Sequence, residues 1–290
     1  HAYVRRQRQM CIRDRSLLLT APLAGCIDDA SLDESPSGEE TAVVRILTYD
    51  IAAFSDSMFS TFTNQTGYEI EVVRADDAGG ILEKLLQTKE APQVDLAIGL
   101  DNTYLQSALD FNLLQQHQTD VTMVSSTALE PYDGPFAVPF DRGDVCLNYD
   151  ETKVDGENLT VPTSLWNLTE PEWNGVMAYP SPLTSSPGRA FMAATIDYFE
   201  NDEDNTTDAF DWWKAIAENG AIFTSGWTEA YETHYSGGYG EWVDGHIGDA
   251  AMTVSYCHSP GVEAYYAGNF TKSTSLTLPR ATFHQVEYAA

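Results

Sequence analysis

The sequence is poor in basic residues: 15 Lys+Arg stand against 44 Asp+Glu in 290 residues, a formal net charge of -29. Phosphate contacts need clustered Lys and Arg, so the shortage argues against a nucleic-acid partner. Long apolar runs are missing as well, and no stretch reaches the ~18 residues that a membrane-crossing helix needs. Cysteine is scarce, with four in all, and no C-x-x-C or H-E-x-x-H pattern offers a metal site. The six histidines, at positions 1, 117, 234, 246, 258 and 284, show no ligand spacing. A G-x-S-x-G elbow and a P-loop are also missing, so no nucleophile–base set points to hydrolysis and no cofactor is expected. The carboxylates of "ENDEDNTTD" lack the glycine of an EF-hand loop, and Tyr265-Tyr266 reads as a helical or surface pair rather than as metal ligands. Without a nucleophile–base set, an extracellular enzyme such as a hydrolase is disfavoured.

What is abundant is acid. Part of it lies in "DDASLDESPSGEE", Asp28 to Glu40, whose Ser, Gly and Pro spacing reads as a disordered tether over residues 26–41. The rest is spread out and reads as a solvated surface suited to a salty medium, or more sharply as a field that attracts cationic small molecules. Ahead of the tether, basic residues precede "SLLLTAPLAGC", Ser16 to Cys26, a short apolar stretch ending in small residues. That is the layout of an export signal, and residues 1–25 are assigned to it. Leu23-Ala24-Gly25-Cys26 resembles a lipobox, which makes Cys26 the expected lipidation site. His1 to Gln9, ahead of Met10, are treated as extraneous to the fold. N-x-[ST] triplets at Asn64, Asn158, Asn167, Asn205 and Asn269 agree with export without requiring it.

The body opens at Thr41. "AVVRILTYD" reads as a strand with Asp50 at its end, followed by a helix between a Ser55 cap and a Gly67 stop. "YEIEVVRA" alternates as a strand, "DDAGG" leads into the amphipathic helix "ILEKLLQTKE", and "VDLAIGL" is the near-continuous apolar run of a buried parallel strand. Strand, helix, strand, helix, strand with short links predicts an α/β fold with a parallel sheet. Beyond Pro135 come the long extended segment "FAVPFDRGDVCLNYD" and the strands "VMAYP", "AIFTS" and "AAMTVSY", with a helix capped by Ser186 and carrying Pro187 at its first position. Another helix ends at Gly220. In "TSGWTEAYETHY" a helix starting near Thr228 puts Trp227, Tyr231 and Tyr235 on one side, and such a stripe is ordinarily core. Ligands of open α/β sheets sit beyond the carboxyl ends of strands, where Asp50, Asp101-Asn102 and "DDAGG" all fall. The helix starts at "DDAGG" and "TSSPG" each expose backbone N–H groups to an anion.

Several stretches in order, "LTYDIAAF", "VDLAIGLDNTYL", "VPFDRGDVCLNYD", "SPLTSSPGRAF", "WWKAIAENGA", "SGWTEAY", "TVSYCHSP" and "TFHQVE", have close counterparts in the thiamine-binding solute receptors of ABC importers. The chain therefore resembles that family, within the type II periplasmic-binding-protein superfamily. The resemblance implies two α/β lobes, 43–138 plus 257–290 and 139–256, joined by hinge strands near 136–149 and 252–259. It also implies a chain shortened at its C-terminus, because family members continue with further helices. By resemblance, Asp50 is the carboxylate near the ligand's cation or amine. Ser185 and Ser186 take a phosphate or hydroxyl end with Gly79 as a backbone neighbour, Trp227 and Tyr256 are aromatic walls, and Asp101 and Asn102 line the rim. The implied partners are thiamine or a thiamine phosphate, ABC permease subunits and a membrane reached through the lipid anchor, with the chain itself a monomer on the outer side of the cytoplasmic membrane or in the periplasm.

Departures from the family pattern leave a second ligand class open. Ala251 stands where an acidic residue is usual, Arg142-Gly143-Asp144 replaces an aromatic triplet, and Cys257-His258 replaces two hydroxyl residues. The alternative keeps the fold and binds ferric ion, a polyamine or another cationic metabolite. The glycine-rich "SGGYGEWVDGHIG" reads as a flexible loop, either surface or lid. Cys146 and Cys257 fall on the implied hinge strands, where a disulfide would restrain opening, but two free thiols are the preferred reading.

Overall fold

The computed structural model describes residues 42–50, 52, 54–201, 208–268 and 270–290. The expected signal, the tether with Cys26, and Asn205 and Asn269 lie outside the described residues. The elements run β1 (Val43–Tyr49), α1 (Asp56–Thr66), β2 (Glu69–Ala75), α2 (Ala78–Gln87), β3 (Leu96–Asp101), α3 (Leu105–Asp110), α4 (Ser126–Leu129), β4 (Val138–Asp150), β5 (Met177–Pro180), α5 (Ser186–Glu200), α6 (Ala209–Glu218), β6 (Ile222–Thr224), β7 (Met252–Tyr256), α7 (Ser259–Tyr266), β8 (Ser273–Leu276) and β9 (Phe283–Ala289).

The strands form one sheet in the order β2-β1-β3-β9-β4-β7-β5-β6, with β8 paired to β4. β2, β1 and β3 are parallel, as are β7, β5 and β6, while β9 and β4 run antiparallel between the two sets. This is the expected α/β architecture with two lobes, and β4 with β7 forms the expected pair of crossing strands. β9 is a further strand at the crossing, and neither it nor β8 is apparent from the sequence pattern. One core gathers Leu47, Ile81, Ala97 and Leu100 under α2. A larger one gathers Trp173, Tyr179, Phe191, Phe199 and Trp212 around α5 and α6, and takes in Leu278 and Ala281. Trp212 meets the hydrogen-bond demand of its buried indole by donating to the Leu165 carbonyl at 2.8 Å.

Local chemistry explains the helix ends. Ser55 Oγ accepts from the Met58 N–H, and Gly67 closes α1 at φ 78°, a left-handed conformation that suits glycine. The α5 cap is displaced by one residue from expectation. Ser185, extended at φ -129°, caps through Oγ to the Gly188 N–H at 3.2 Å, which makes Ser186 the first helical residue and frees its hydroxyl. Gly188 is needed there because a Cβ would stand 2.8 Å from the Ser181 carbonyl oxygen and closer still to that of Pro180. The stripe of "TSGWTEAYETHY" sits on a π-helix, Glu229–His234. Its wider turn keeps residues four apart aligned, and Tyr239 joins the ladder 5.6 Å from Tyr231.

Two expectations are corrected. Cys146 and Cys257 are joined by a disulfide, where free thiols were preferred. Strand pairing of Val145 with Tyr256 brings the cysteine backbones together, with Cα atoms 5.4 Å apart, inside the range a bridge requires. The glycine-rich segment after Tyr235 is packed over 236–240 and tied down beyond it, although much of 241–248 is exposed. Ser236 donates to Asp150 at 2.7 Å, Tyr239 to Glu232 at 2.7 Å, and the Ile247 N–H to the Thr233 carbonyl at 2.7 Å.

Candidate ligand site

The carboxyl ends of the two parallel strand sets meet. From the first set, β1 ends at Tyr49, β2 leads into the Asp77 cap of α2, and β3 ends at Asp101. From the second, β5 leads into α5, β6 into the π-helix, and β7 ends at Tyr256. Two contacts join them. Arg189 of α5 lies over the Tyr104 ring, 4.3 Å from its centroid, and the Ser186 hydroxyl approaches Asp101 closely enough to favour its charged form.

Asp101 is fully buried. Its Oδ1 accepts from the Thr103 N–H at 2.8 Å, the Thr103 hydroxyl at 2.6 Å and the Tyr104 N–H at 3.2 Å, while Oδ2 has no hydrogen-bond partner. Burial raises its pKa against the pull of those bonds. Burial also raises Asp77, opposed by the N–H groups of Gly80 and Gly79. Gly79 packs on Tyr104: a Cβ there would stand 2.9 Å from the tyrosine hydroxyl.

The other expected residues divide by role. Asp50 is exposed in the turn after β1. Asn102 spends its side chain on β9, donating to the His284 carbonyl at 3.0 Å and accepting from the Val286 N–H at 3.2 Å, so it fixes the strand beside β3. Ser185 is buried and its hydroxyl serves the helix cap. Trp227 is half-buried, stacked on Tyr231 with centroids 4.9 Å apart and planes 15° from parallel, and its indole N–H donates to Ser255 of β7 at 2.9 Å. Tyr256 is half-buried and its hydroxyl accepts from Gln285 at 3.3 Å; burial drives that hydroxyl's pKa well up.

The residues that sequence reasoning missed are Tyr49, Tyr104, Asp141, Arg189, Gln285 and Glu287. Glu287 is held up to about 8, first by burial and then by the charge of Asp141, against hydrogen bonds from Tyr49 and Gln285. The Tyr49 ring is seated on Gly99, whose φ of 107° and lack of a Cβ admit it: a Cβ there would fall 2.5 Å from the ring. The period-two pattern of "HQVE" was the available signal, since it puts Gln285 and Glu287 on one face. A surface hollow of about 400 Å³ between Leu109, Leu114, Tyr132 and Phe136 is lined by none of these groups.

The pattern of the family described as "Bacterial extracellular solute-binding protein" matches residues 57–271. The chain belongs to that family. It is therefore a binding protein of solute transport and not an enzyme. The thiamine-binding periplasmic protein of Escherichia coli (strain K12) is 25% identical to it over 259 residues, covering 86% of this chain and 70% of the relative. Among solved structures, a periplasmic thiamin binding protein superposes with a TM-score of 0.68 at 24% identity, over 88% of this chain and 74% of that one. Iron-bound HitA from Pseudomonas aeruginosa superposes at 0.64 with 15% identity, over 86% and 74%. These likenesses bear out the expected periplasmic-binding-protein fold.

Proposed function

We propose that the chain captures thiamine or a thiamine phosphate outside the cytoplasmic membrane and hands it to the permease of an ABC importer. The observation that carries this reading is the meeting of the two sets of strand ends, with Ser186 at Asp101 and Arg189 over Tyr104. In α/β folds that is where a small ligand is held, and closure of two lobes over it is the usual device. The likeness to the E. coli thiamine-binding protein supports the choice of ligand.

The chemistry agrees. Thiamine joins a flat aminopyrimidine to a cationic thiazolium, and its esters add a phosphate. The Trp227–Tyr231 stack offers a platform for a ring, and a cation over an aromatic face gains ~0.5–2 kcal/mol. Asp101 and Asp50 are the acids for the amine or the positive ring, with Tyr256 as a second wall. The N–H groups that open α5 at Ser185 and Ser186, with Arg189 one turn on, suit a phosphate, and Gly79 and Asn102 complete the surroundings. Lobe 43–138 with 257–290 closes on lobe 139–256, the 273–281 stretch riding with the second through β8. Cys26 carries the lipid, the following acidic stretch is the tether, and the receptor works as a monomer.

Calorimetric titration with thiamine and with its mono- and diphosphate tests the reading, with saturable binding of at least one expected. No response to any of the three at high micromolar concentration overturns the thiamine assignment. The acid-rich strand ends favour, as the second reading, another cationic solute such as a polyamine or ferric ion, which the same titration would then reveal.

A further inference from the structure

Asp101, Glu287 and Asp141 stand in one row. β3 and β9 pair Asp101 with Glu287, and β9 and β4 pair Glu287 with Asp141. Directly paired residues of neighbouring strands project to the same face. Three carboxyls therefore lie side by side across three strands, and like charges so placed repel. Asp101 and Glu287 are deeply buried, at 0% and 7% exposure, whereas Asp141 is exposed and forms the open end.

The row holds unused acceptors. Asp101 Oδ2, Glu287 Oε2 and the neighbouring Gln285 Oε1 are buried without a hydrogen-bond partner, a costly condition unless something else meets them. Gln285 is committed through its amide nitrogen, which donates to Glu287 at 3.2 Å and to Tyr256 at 3.3 Å. No ion pair among the described residues includes any of the three acids.

The charges that face the row come from every element around it. Arg74 of β2 is spent on the carbonyls of Tyr49 and Ala52, both at 2.8 Å, and Arg189 lies over Tyr104. His258, ahead of α7, faces Asp141, and Asp77 adds a further acid near Asp101. The hydroxyls of Tyr49 and Tyr256 close the sides. With acid outweighing base around the row and burial opposing charge, the buried Glu287 keeps its proton at neutral pH. The row spans three adjacent strands, so its charge is spread out and suits a diffuse organic cation.

We propose that the Asp101–Glu287–Asp141 row is a cation subsite, in which the positive group of the bound solute takes the place of a proton held by Glu287. The exchange balances: the Glu287 carboxyl loses H⁺ to solvent, and the resulting carboxylate pairs with the incoming cation. This rests on the solute-binding reading of the strand ends and adds the group that reads the solute's charge.

Calorimetry of the intact chain near neutral pH, in two buffers of different ionisation enthalpy, tests it with thiamine and separately with choline, a bare quaternary cation. The expected result is release of about one proton per cation bound. Glu287→Gln abolishes the release and weakens thiamine about tenfold or more. Asp141→Asn, at the exposed end, lowers the protonated fraction of Glu287 and so reduces the release. Thiamine binding without proton release, and unchanged in Glu287→Gln, overturns the subsite and leaves the thiamine reading standing. Choline binding with proton release but no response to thiamine supports the subsite and overturns thiamine as the ligand. Binding of neither cation overturns the subsite.

Discussion

Ser186 opens α5 and faces Asp101, the last residue of β3, so one hydroxyl links the strand ends of the two parallel sets. The link exists because Ser185, not Ser186, caps the helix. Two consequences follow for Ser186→Ala. The Asp101 carboxyl loses a group that favours its ionised form, so its pKa climbs further. Stability changes by only about 1 kcal/mol, since Asp101 keeps its bonds from Thr103 and Tyr104. Ligand affinity should fall several-fold, which titrations of the parent and the variant side by side would read. Ser185→Ala should instead cost about 1 kcal/mol of stability by removing the cap.

Trp227 is held at both ends, by the Tyr231 stack and by Ser255. Trp227→Ala should weaken thiamine by ~1–3 kcal/mol if the exposed part of the indole meets the ligand. Trp227→Phe keeps a ring and loses the bond to Ser255, at about 1 kcal/mol. Denaturant melts run beside the titrations separate the roles. A stability loss with unchanged affinity would return Trp227 to the core stripe.

The Cys146–Cys257 bridge closes a loop with a sequence separation of 111. A loop of that length loses much freedom in the unfolded chain, so replacing both cysteines by serine should cost about 2–5 kcal/mol. Because β4 and β7 remain paired along five residue pairs, the fold should persist and affinity should change little. A thiol count on denatured, unreduced protein should find none from these positions, and two would exclude the bridge.

What could be read from the sequence follows from burial. β3 announces itself because Ala97 to Leu100 is an apolar run buried on both faces, and α1 because Ser55 and Gly67 are unambiguous at its ends. β9 is harder to read, because the alternation of Gln285 and Glu287 with Val286 and Tyr288 predicts a polar solvent face, whereas both of its faces are buried. The carboxyl row was out of reach for a related reason. Asp101, Asp141 and Glu287 are far apart along the chain, and strand pairing alone makes them neighbours. Trp227 and Tyr231 were legible because a spacing of four survives in either helix type, whereas nothing in "EAYETH" announces the wider turn. The cap moved from Ser186 to Ser185 because two adjacent serines are equally able to cap, and only the approach of Gly188 to the end of β5 decides between them.

Two buried glutamates set the pH dependence of stability. Burial is the largest cause that raises Glu263 from 4.5 to about 7 and Glu287 from 4.5 to about 8. Glu263 accepts from Thr271 at 2.7 Å and feels the charge of Lys272, and both oppose the rise. In each case the folded state holds a proton that the unfolded chain has already released, so folding binds protons and stability falls as pH rises. The loss begins above about pH 4.5; it is complete above about 7 for Glu263 and above about 8 for Glu287. Ordinary carboxylates have finished titrating by about pH 6, which leaves the interval from there to pH 8 as the diagnostic window. Denaturant midpoints of the ligand-free protein should decline across it. Glu263→Gln should remove the part between pH 6 and 7, and Glu287→Gln most of the part that extends to pH 8. A midpoint that stays flat across the window in the parent protein would show that neither glutamate keeps its proton. Thiamine affinity should rise over the same interval in the parent and not in Glu287→Gln, since binding to the row releases the proton.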